Sequence, residues 1–167
     1  MFSSVKSVAL SGINGIITSV EADIRNGLPS FNMVGFLSTQ VRESGERVRA
    51  AVLNSGFYLE PKRILVNLSP ADIKKDGTSF DLAVAVAILA AQLSLDNDYL
   101  LETAFVGELS LSGELKSVTG VLPMVSAARE AGIRRFVLPV ANYREAKLVD
   151  GIEIIGVASV SYTHLRA

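Results

Sequence analysis

The segment KKDGTSFDL, from Lys74 to Leu82, contains the residues with the best spacing for catalysis. A charged glycine turn brings Ser79 to the start of an apolar stretch, which predicts a serine hydroxyl at a helix N-terminus. Such a serine is a candidate nucleophile if a base lies within hydrogen-bonding reach. The same turn also favours a simple helix start, in which Ser79 or Thr78 caps the amides and Asp81 interacts with the helix dipole. The presence of a base therefore decides between the two interpretations.

The composition predicts one globular domain and excludes several kinds of site. The 167 residues are 49% hydrophobic and 20% charged, a balance typical of one folded domain. The chain has no cysteine and a single histidine, His164, which excludes disulfides, thiol catalysis and Cys/His metal clusters. A net charge of −1 limits any nucleic-acid contact to local patches. The chain lacks a signal-peptide pattern and its apolar run from Leu82 to Leu93 is too short to cross a bilayer, so we expect a cytoplasmic protein without membrane contact.

Hydrophobic periodicity places strands and a helix before this segment. Alternation from Val5 to Ile24 predicts a β-hairpin, and Ser30 to Val34 predicts a short strand that extends it into an antiparallel sheet. A helix is expected from Ser38 to a glycine C-cap near Gly56, because its apolar residues recur on one face. A β-branched run from Arg63 to Leu68 predicts the strand that precedes the charged loop.

Strands and helices alternate in the second half of the chain, as in α/β proteins. The stretch from Ser79 to Leu93 is apolar on nearly every side, which predicts a central helix. The later predictions are a hairpin of Phe105–Leu109 with Glu114–Val118, a helix over Leu122–Ala131, a strand over Phe136–Leu138, a helix over Tyr143–Val149 and a strand over Ile152–Val157. Gly77, Gly107 and Gly113 match no phosphate-binding spacing, so we expect them at turns that need a positive φ.

Seven basic residues are the candidate DNA contacts. They are Arg42, Arg47, Arg49, Lys62, Arg63, Lys74 and Lys75. Their clustering on one helix, before one strand and in the loop before Ser79 predicts a phosphate-contacting surface. The interspersed acids Glu43, Glu46 and Asp76 favour the alternative of a solvated surface with ion pairs. Aromatic residues are not interleaved with these cations, which argues against a platform for stacked single-stranded bases.

The order of elements from Arg63 to Pro139 resembles the proteolytic domain of Lon-type proteases. The motifs KDGTS, VGELSLSGEL and AGI carry this resemblance. In that family, the serine after Lys-Asp-Gly-x is the nucleophile, and a lysine at the start of the helix after the Gly-Glu hairpin is its base. The resemblance places Ser79 at the nucleophile position, but Pro123 stands where the lysine would be. Proline cannot accept the hydroxyl proton, so we expect no catalytic residue; a serine hydrolase using Ser79 with another base is the alternative.

Longer motifs over almost the whole chain are similar to the N-terminal domain of the ComM/YifB family of Mg-chelatase-like AAA+ proteins. They are SGINGIITSVEADIRNGLPSFNMVGF, VRESGERVRAAVLNSGF, PKRILVNLSPADIKKDGTSFDLAVAVAIL and FVGELSLSGELKSVTGVLPMVSAAREAGIRRFVLP. The resemblance implies an α/β (α+β) fold of the Lon-protease-domain or ribosomal-protein-S5-domain-2 type, with a mixed sheet and packed helices. Residues 1–160 are the expected domain, and residues 161–167 resemble a non-native tail.

The same resemblance implies a function that this chain performs only as part of a larger protein. The family combines this domain with an ATPase module that binds ATP and Mg²⁺, and it includes hexameric helicases that drive branch migration in natural transformation. The chain contains no G-x-x-x-x-G-K-[ST] motif and no Gly-Lys pair, so it should bind no nucleotide, cofactor or metal by itself. We expect a non-catalytic domain that helps assemble the homo-hexamer and guides DNA.

Overall fold

A seven-stranded mixed sheet organises the computed structural model, which describes residues 1–161. The strands are β1 (Phe2–Ser11), β2 (Asn14–Arg25), β3 (Ser30–Val34), β4 (Arg63–Ser69), β5 (Thr103–Phe105), β6 (Glu108–Leu109), β7 (Leu115–Lys116), β8 (Arg135–Pro139) and β9 (Glu153–Val157). The helices are α1 (Thr39–Arg42), α2 (Ser44–Asn54), α3 (Asp81–Leu93), α4 (Asn97–Leu101), α5 (Val121–Glu130) and α6 (Tyr143–Ala146). The sheet order is β3-β4-β2-β1-β5-β8-β9, whereas β6 and β7 form a separate pair. The predicted α/β class with a mixed sheet is confirmed. The tail predicted at residues 161–167 lies, from residue 162 onward, outside the described residues.

The central hairpin has two different faces because its side chains alternate. β1 and β2 pair antiparallel along their length, which confirms the predicted hairpin. On one face, Val5 and Val20 are buried in the larger core, against which α3 packs. On the other face, Val8 is buried in a second core with residues of α5. The sheet is therefore covered by different helices on its two sides.

Strand β3 does not pair as predicted. It lies parallel to β4, with Ser30 opposite Arg63 and Val34 opposite Asn67, and β4 in turn pairs antiparallel with β2. The prediction of an antiparallel extension of the hairpin is wrong because α1 and α2 connect β3 to β4, and a crossover of this kind returns the chain in the parallel direction. β3 becomes an edge strand of the sheet.

The helix predicted from Ser38 has the expected start and buried face but is divided into two. The Val41 N–H donates to the Ser38 hydroxyl at 3.3 Å, which makes Ser38 the N-cap of α1. Glu43 separates α1 from α2, and the apolar positions Val41 and Val48 are buried as the periodicity predicts. The chain leaves α2 through Gly56, whose φ of +88° suits a glycine.

The central helix α3 positions the segment that could carry chemistry. Its residues from Asp81 to Ala91 are buried, and it packs between the sheet and α2. The hairpin beside it is smaller than predicted, because only Glu108–Leu109 pairs with Leu115–Lys116 and Phe105 belongs to β5 of the large sheet. Within residues 1–161, every helix falls short of the length and apolarity that a membrane span needs.

Candidate functional site

A cleft of about 410 Å³ opens beside the start of α3. We call it the Ser79 cleft. It is lined by Leu10, Gln40, Asp76, Gly77, Thr78, Ser79, Glu108, Ser117, Val118, Thr119 and Met124. The loop before α3, the β6–β7 region and the first turn of α5 supply most of this lining. The fold therefore brings the candidate nucleophile into a concave site, next to the elements that the resemblance to Lon-type proteases names.

Backbone hydrogen bonds fix Ser79 against the segment that follows β5. The Gly107 N–H donates to the Ser79 carbonyl at 2.9 Å, and the Leu82 N–H donates to the Gly107 carbonyl at 3.1 Å. A Cβ at Gly107 would lie 2.6 Å from a methyl carbon of Leu115, so this close approach requires glycine. The expected positive φ occurs at Gly77, at +82°, but not at Gly107, where packing is the reason for the glycine.

The start of α3 is not capped by a hydroxyl group, so the predicted capping role of Ser79 or Thr78 is wrong. The N-cap residue is Phe80, which makes no side-chain cap bond. The Thr78 hydroxyl instead donates to Glu108 Oε2 at 2.9 Å. A backbone carbonyl already satisfies the Leu82 amide, which removes the need for a side-chain acceptor at this helix end.

No amine or imidazole is found among the residues that line the Ser79 cleft within the described chain. The ionisable lining groups are the carboxyls of Asp76 and Glu108. The Gly77 N–H donates to Asp76 Oδ1 at 2.8 Å, and this bond, with one from the Ser38 hydroxyl, lowers the pKa of the Asp76 carboxyl. A carboxylate with a lowered pKa is a weaker base. Glu108 already accepts a hydrogen bond from a neighbouring threonine.

Pro123 lies in the first turn of α5, directly before Met124 of the cleft lining. The position that the resemblance assigns to the base therefore borders the cleft, but its side chain has no group that accepts a proton. Lys116 is exposed on β7 and is not part of the cleft lining. The arrangement presents a serine in a cleft without the lysine that would activate it.

Lys75 is fully buried, and its amine is used inside the protein. Its exposed fraction is 0%, and Nζ donates to the Gly35 carbonyl at 2.7 Å and to the Pro70 carbonyl. Burial lowers the pKa of this amine. The Lys75 N–H also donates to the Phe36 carbonyl, and its carbonyl accepts from the Ser38 N–H. Lys75 therefore joins the loop before α1 to the loop before α3 and does not reach an external phosphate in this conformation.

Arg47 is also engaged within the protein. Its guanidinium forms a bidentate pair with Asp81, with Nε to Oδ2 at 2.9 Å and Nη2 to Oδ1 at 3.0 Å. Asp81 is fully buried, and Oδ2 also accepts from the Leu109 N–H at 3.0 Å. The hydrogen bond with Asp81 raises the pKa of Arg47, so the guanidinium stays charged. This pair joins α2, α3 and β6; the sequence predicted only a helix-dipole role for Asp81.

The other five candidate DNA contacts do not share one surface. Arg42 and Arg49 are exposed on α1 and α2, whereas Arg63 is exposed at the start of β4 on the opposite face of the sheet. Lys74 is exposed in the loop beyond the other end of β4, and Lys62 pairs with a neighbouring glutamate at 2.5 Å. DNA contact by these residues stays a prediction.

Known proteins match this chain over most of its length. The family described as "Subunit ChlI of Mg-chelatase" matches residues 20–142. The chain is 41% identical over 146 residues to the competence protein ComM of Haemophilus influenzae, an alignment that covers 87% of this chain and 28% of that protein. It is 40% identical over 149 residues to the uncharacterized protein YifB of Escherichia coli, covering 89% of this chain and 29% of that protein. It is 31% identical over 140 residues to Lon protease 2 of Bacillus subtilis, covering 78% of this chain and 24% of that protein.

These matches identify a family and leave most of each relative unaligned. The chain spans less than a third of the length of each of these three proteins. The matched region includes the loop before α3, α5 and every residue that lines the Ser79 cleft except Leu10. The predicted relationship to Mg-chelatase-like proteins is confirmed, and this chain belongs to the ChlI family as a ComM/YifB-like member.

Proposed function

We propose that this chain is a non-catalytic domain of a Mg-chelatase-like AAA+ ATPase, where it supports assembly of a homo-hexamer and guides DNA. The observation that carries the proposal is the Ser79 cleft, which holds a serine beside the start of α3 but has no amine or imidazole among its described lining residues. Similarity both to ComM and to a Lon protease fits a domain that kept a protease-like shape for another use. The alternative is a serine hydrolase using Ser79, and the 31% identity to Lon protease 2 favours it.

ATP hydrolysis belongs, in this proposal, to another module of the intact protein. The residues of this chain do not fit a nucleotide, because none of its 13 glycines is followed by lysine and a Walker A loop needs that pair. An ATPase module elsewhere in the protein would hold ATP and Mg²⁺. The role in DNA processing is supported by the similarity to a protein named for competence, and it would take the form of branch migration by a helicase during natural transformation and recombination.

The proposal predicts weak, salt-sensitive DNA binding by this chain. Fluorescence anisotropy of labelled single-stranded and double-stranded DNA, titrated with the chain at several NaCl concentrations, measures it. Each phosphate contact should contribute about 0.7 to 0.9 to the slope of log K against log salt. If the chain guides DNA, its affinity for DNA should be highest at low salt and should fall as the NaCl concentration rises. The absence of binding to both DNA forms at low salt would contradict DNA guiding by this domain.

A further inference from the structure

One half of the second face of the sheet is left uncovered by helices within residues 1–161. α5 packs on this face where Val8 lies, and residues of β5, β8 and β9 complete the second core there. Towards β2, β4 and β3, the outward side chains of the same face remain exposed or half-buried. We call this part the open face and define it by Phe2, Asp23, Arg25, Asn32, Arg63 and Leu65.

Two arginines stand directly opposite each other on the open face. Arg25 of β2 and Arg63 of β4 are register partners, and both are exposed. Arg25 Nε pairs with Asp23 Oδ2 at 2.7 Å, whereas Arg63 has no carboxylate within 4.0 Å among residues 1–161. Like charges directly opposite on neighbouring strands are unfavourable without a counter-charge between them. The pair therefore points to a ligand that carries negative charge.

The groove between these arginines has the charge and donors for one phosphodiester. With Asp23 and Leu65, the two arginines line a groove of about 310 Å³. Two guanidinium groups and one carboxylate leave one unbalanced positive charge, which one phosphodiester anion would neutralise. Guanidinium groups offer the planar pairs of N–H donors that phosphate oxygens accept. The groove thus has the charge and chemistry of a phosphate contact.

Phe2 and Leu65 lie on the open face in the row of paired residues next to the two arginines. These apolar side chains indicate that the ligand is a polymer with bases rather than a free anion. Phe2 is opposite Asp23, which is in turn opposite Leu65, so one row of the sheet passes from an aromatic side chain to an aliphatic one. The exposed fractions are 60% for Phe2 and 41% for Leu65. An exposed aromatic ring beside cationic side chains is the combination with which proteins bind single strands, because bases stack on the ring while phosphates meet the cations.

We propose that the open face binds a single strand of nucleic acid, with Arg25 and Arg63 holding a backbone phosphate and Phe2 stacking on a base. The inference rests on the proposed function and names the surface that carries it. It gives Arg63 a partner, Arg25, that is not among the seven predicted candidates. It also locates an aromatic contact that the sequence pattern does not reveal, because Phe2 is far from Arg63 along the chain and adjacent only through β2.

The test is fluorescence anisotropy of the full chain with fluorescein-labelled oligo-dT of about 20 nucleotides, longer than one such binding site. The variant Arg25→Gln/Arg63→Gln should bind roughly tenfold more weakly, and the salt slope should fall by about 0.7 for the one lost phosphate contact. The variant Arg144→Gln/Lys147→Gln, which removes the same charge from exposed positions in and next to α6, should change affinity less than about twofold. Phe2→Ala should weaken binding roughly fivefold or more and leave the salt slope unchanged.

The outcomes separate this inference from the function on which it rests. Equal losses in the two double variants, with binding by the unchanged chain intact, would overturn the open-face site and leave DNA guiding in place. No binding by the unchanged chain would contradict DNA guiding itself. Circular dichroism and thermal melting confirm that each variant is folded. Light scattering gives the oligomeric state, and a loss of affinity that coincides with dissociation of an oligomer would overturn the proposal in favour of a protein interface.

Discussion

Replacing Arg47 with methionine is expected to lower the free energy of unfolding by about 3–5 kcal/mol, because it leaves a buried carboxylate without its cation. Asp81 has an exposed fraction of 0%, and its partners are the two guanidinium nitrogens and the Leu109 N–H. Methionine retains much of the packing of the arginine stem, so the loss reports mainly on the charge. Urea denaturation followed by circular dichroism measures the change.

Arg49→Met is the matched control for this prediction. Arg49 lies on the same helix and is exposed, so its loss should change stability by no more than about 0.5 kcal/mol. Equal stabilities of the two variants would show that the pair does not hold α2, α3 and β6 together.

Replacing Lys75 with methionine is expected to lower the free energy of unfolding by about 2 kcal/mol. The change leaves the carbonyls of Gly35 and Pro70 without the donor that Nζ supplies. The cost is smaller than for Arg47 because burial of the amine is itself unfavourable and methionine relieves it. Lys74→Met is the control, since Lys74 is exposed in the same loop and its loss should change stability by no more than about 0.5 kcal/mol.

The pH dependence of the same variant tests the buried amine independently. Burial lowers the pKa of Lys75 below its ordinary value of 10.5, so in the interval between the two values the unfolded chain binds more protons than the folded one. The contribution of Lys75 to stability therefore rises with pH through this interval. Lys75→Met should lose this part of the slope of the free energy of unfolding against pH, and Lys74→Met should retain it. Identical slopes in both variants would contradict a buried, charged Lys75.

Local patterns were enough to predict most of the elements of the sheet and its inner helices. Alternation gave the β1–β2 hairpin, and the Ser38 cap with its buried valines gave the position of α1 and α2. The predicted pairing of β3 was wrong because the pairing depends on the direction of the chain after a helical crossover. Alternation of apolar residues carries no information about that direction. Strand β5 was merged with the small hairpin because its three buried residues carry no alternation of their own.

The candidate site was predicted in its position but not in its contacts. The motif around Ser79 and the proline at position 123 were visible in the sequence, and the fold places both positions at or beside one cleft. The roles of Arg47 and Lys75 were not visible, since exposed and buried cations have the same spacing in a linear pattern. A carboxylate at the start of a wholly apolar helix was the available signal for a buried partner at Asp81.

The most direct test of the central claim is labelling of the chain with a fluorophosphonate, a reagent that modifies activated serines, followed by mass spectrometry of the labelled peptides. The claim is that the Ser79 cleft has the shape of a hydrolase site without a base. We therefore expect the unchanged chain to be labelled no faster than Ser79→Ala. Ser117→Ala, which removes another hydroxyl from the cleft lining, is the matched control. Saturable labelling of Ser79 that is abolished by Ser79→Ala and retained in Ser117→Ala would contradict the claim and establish a serine hydrolase.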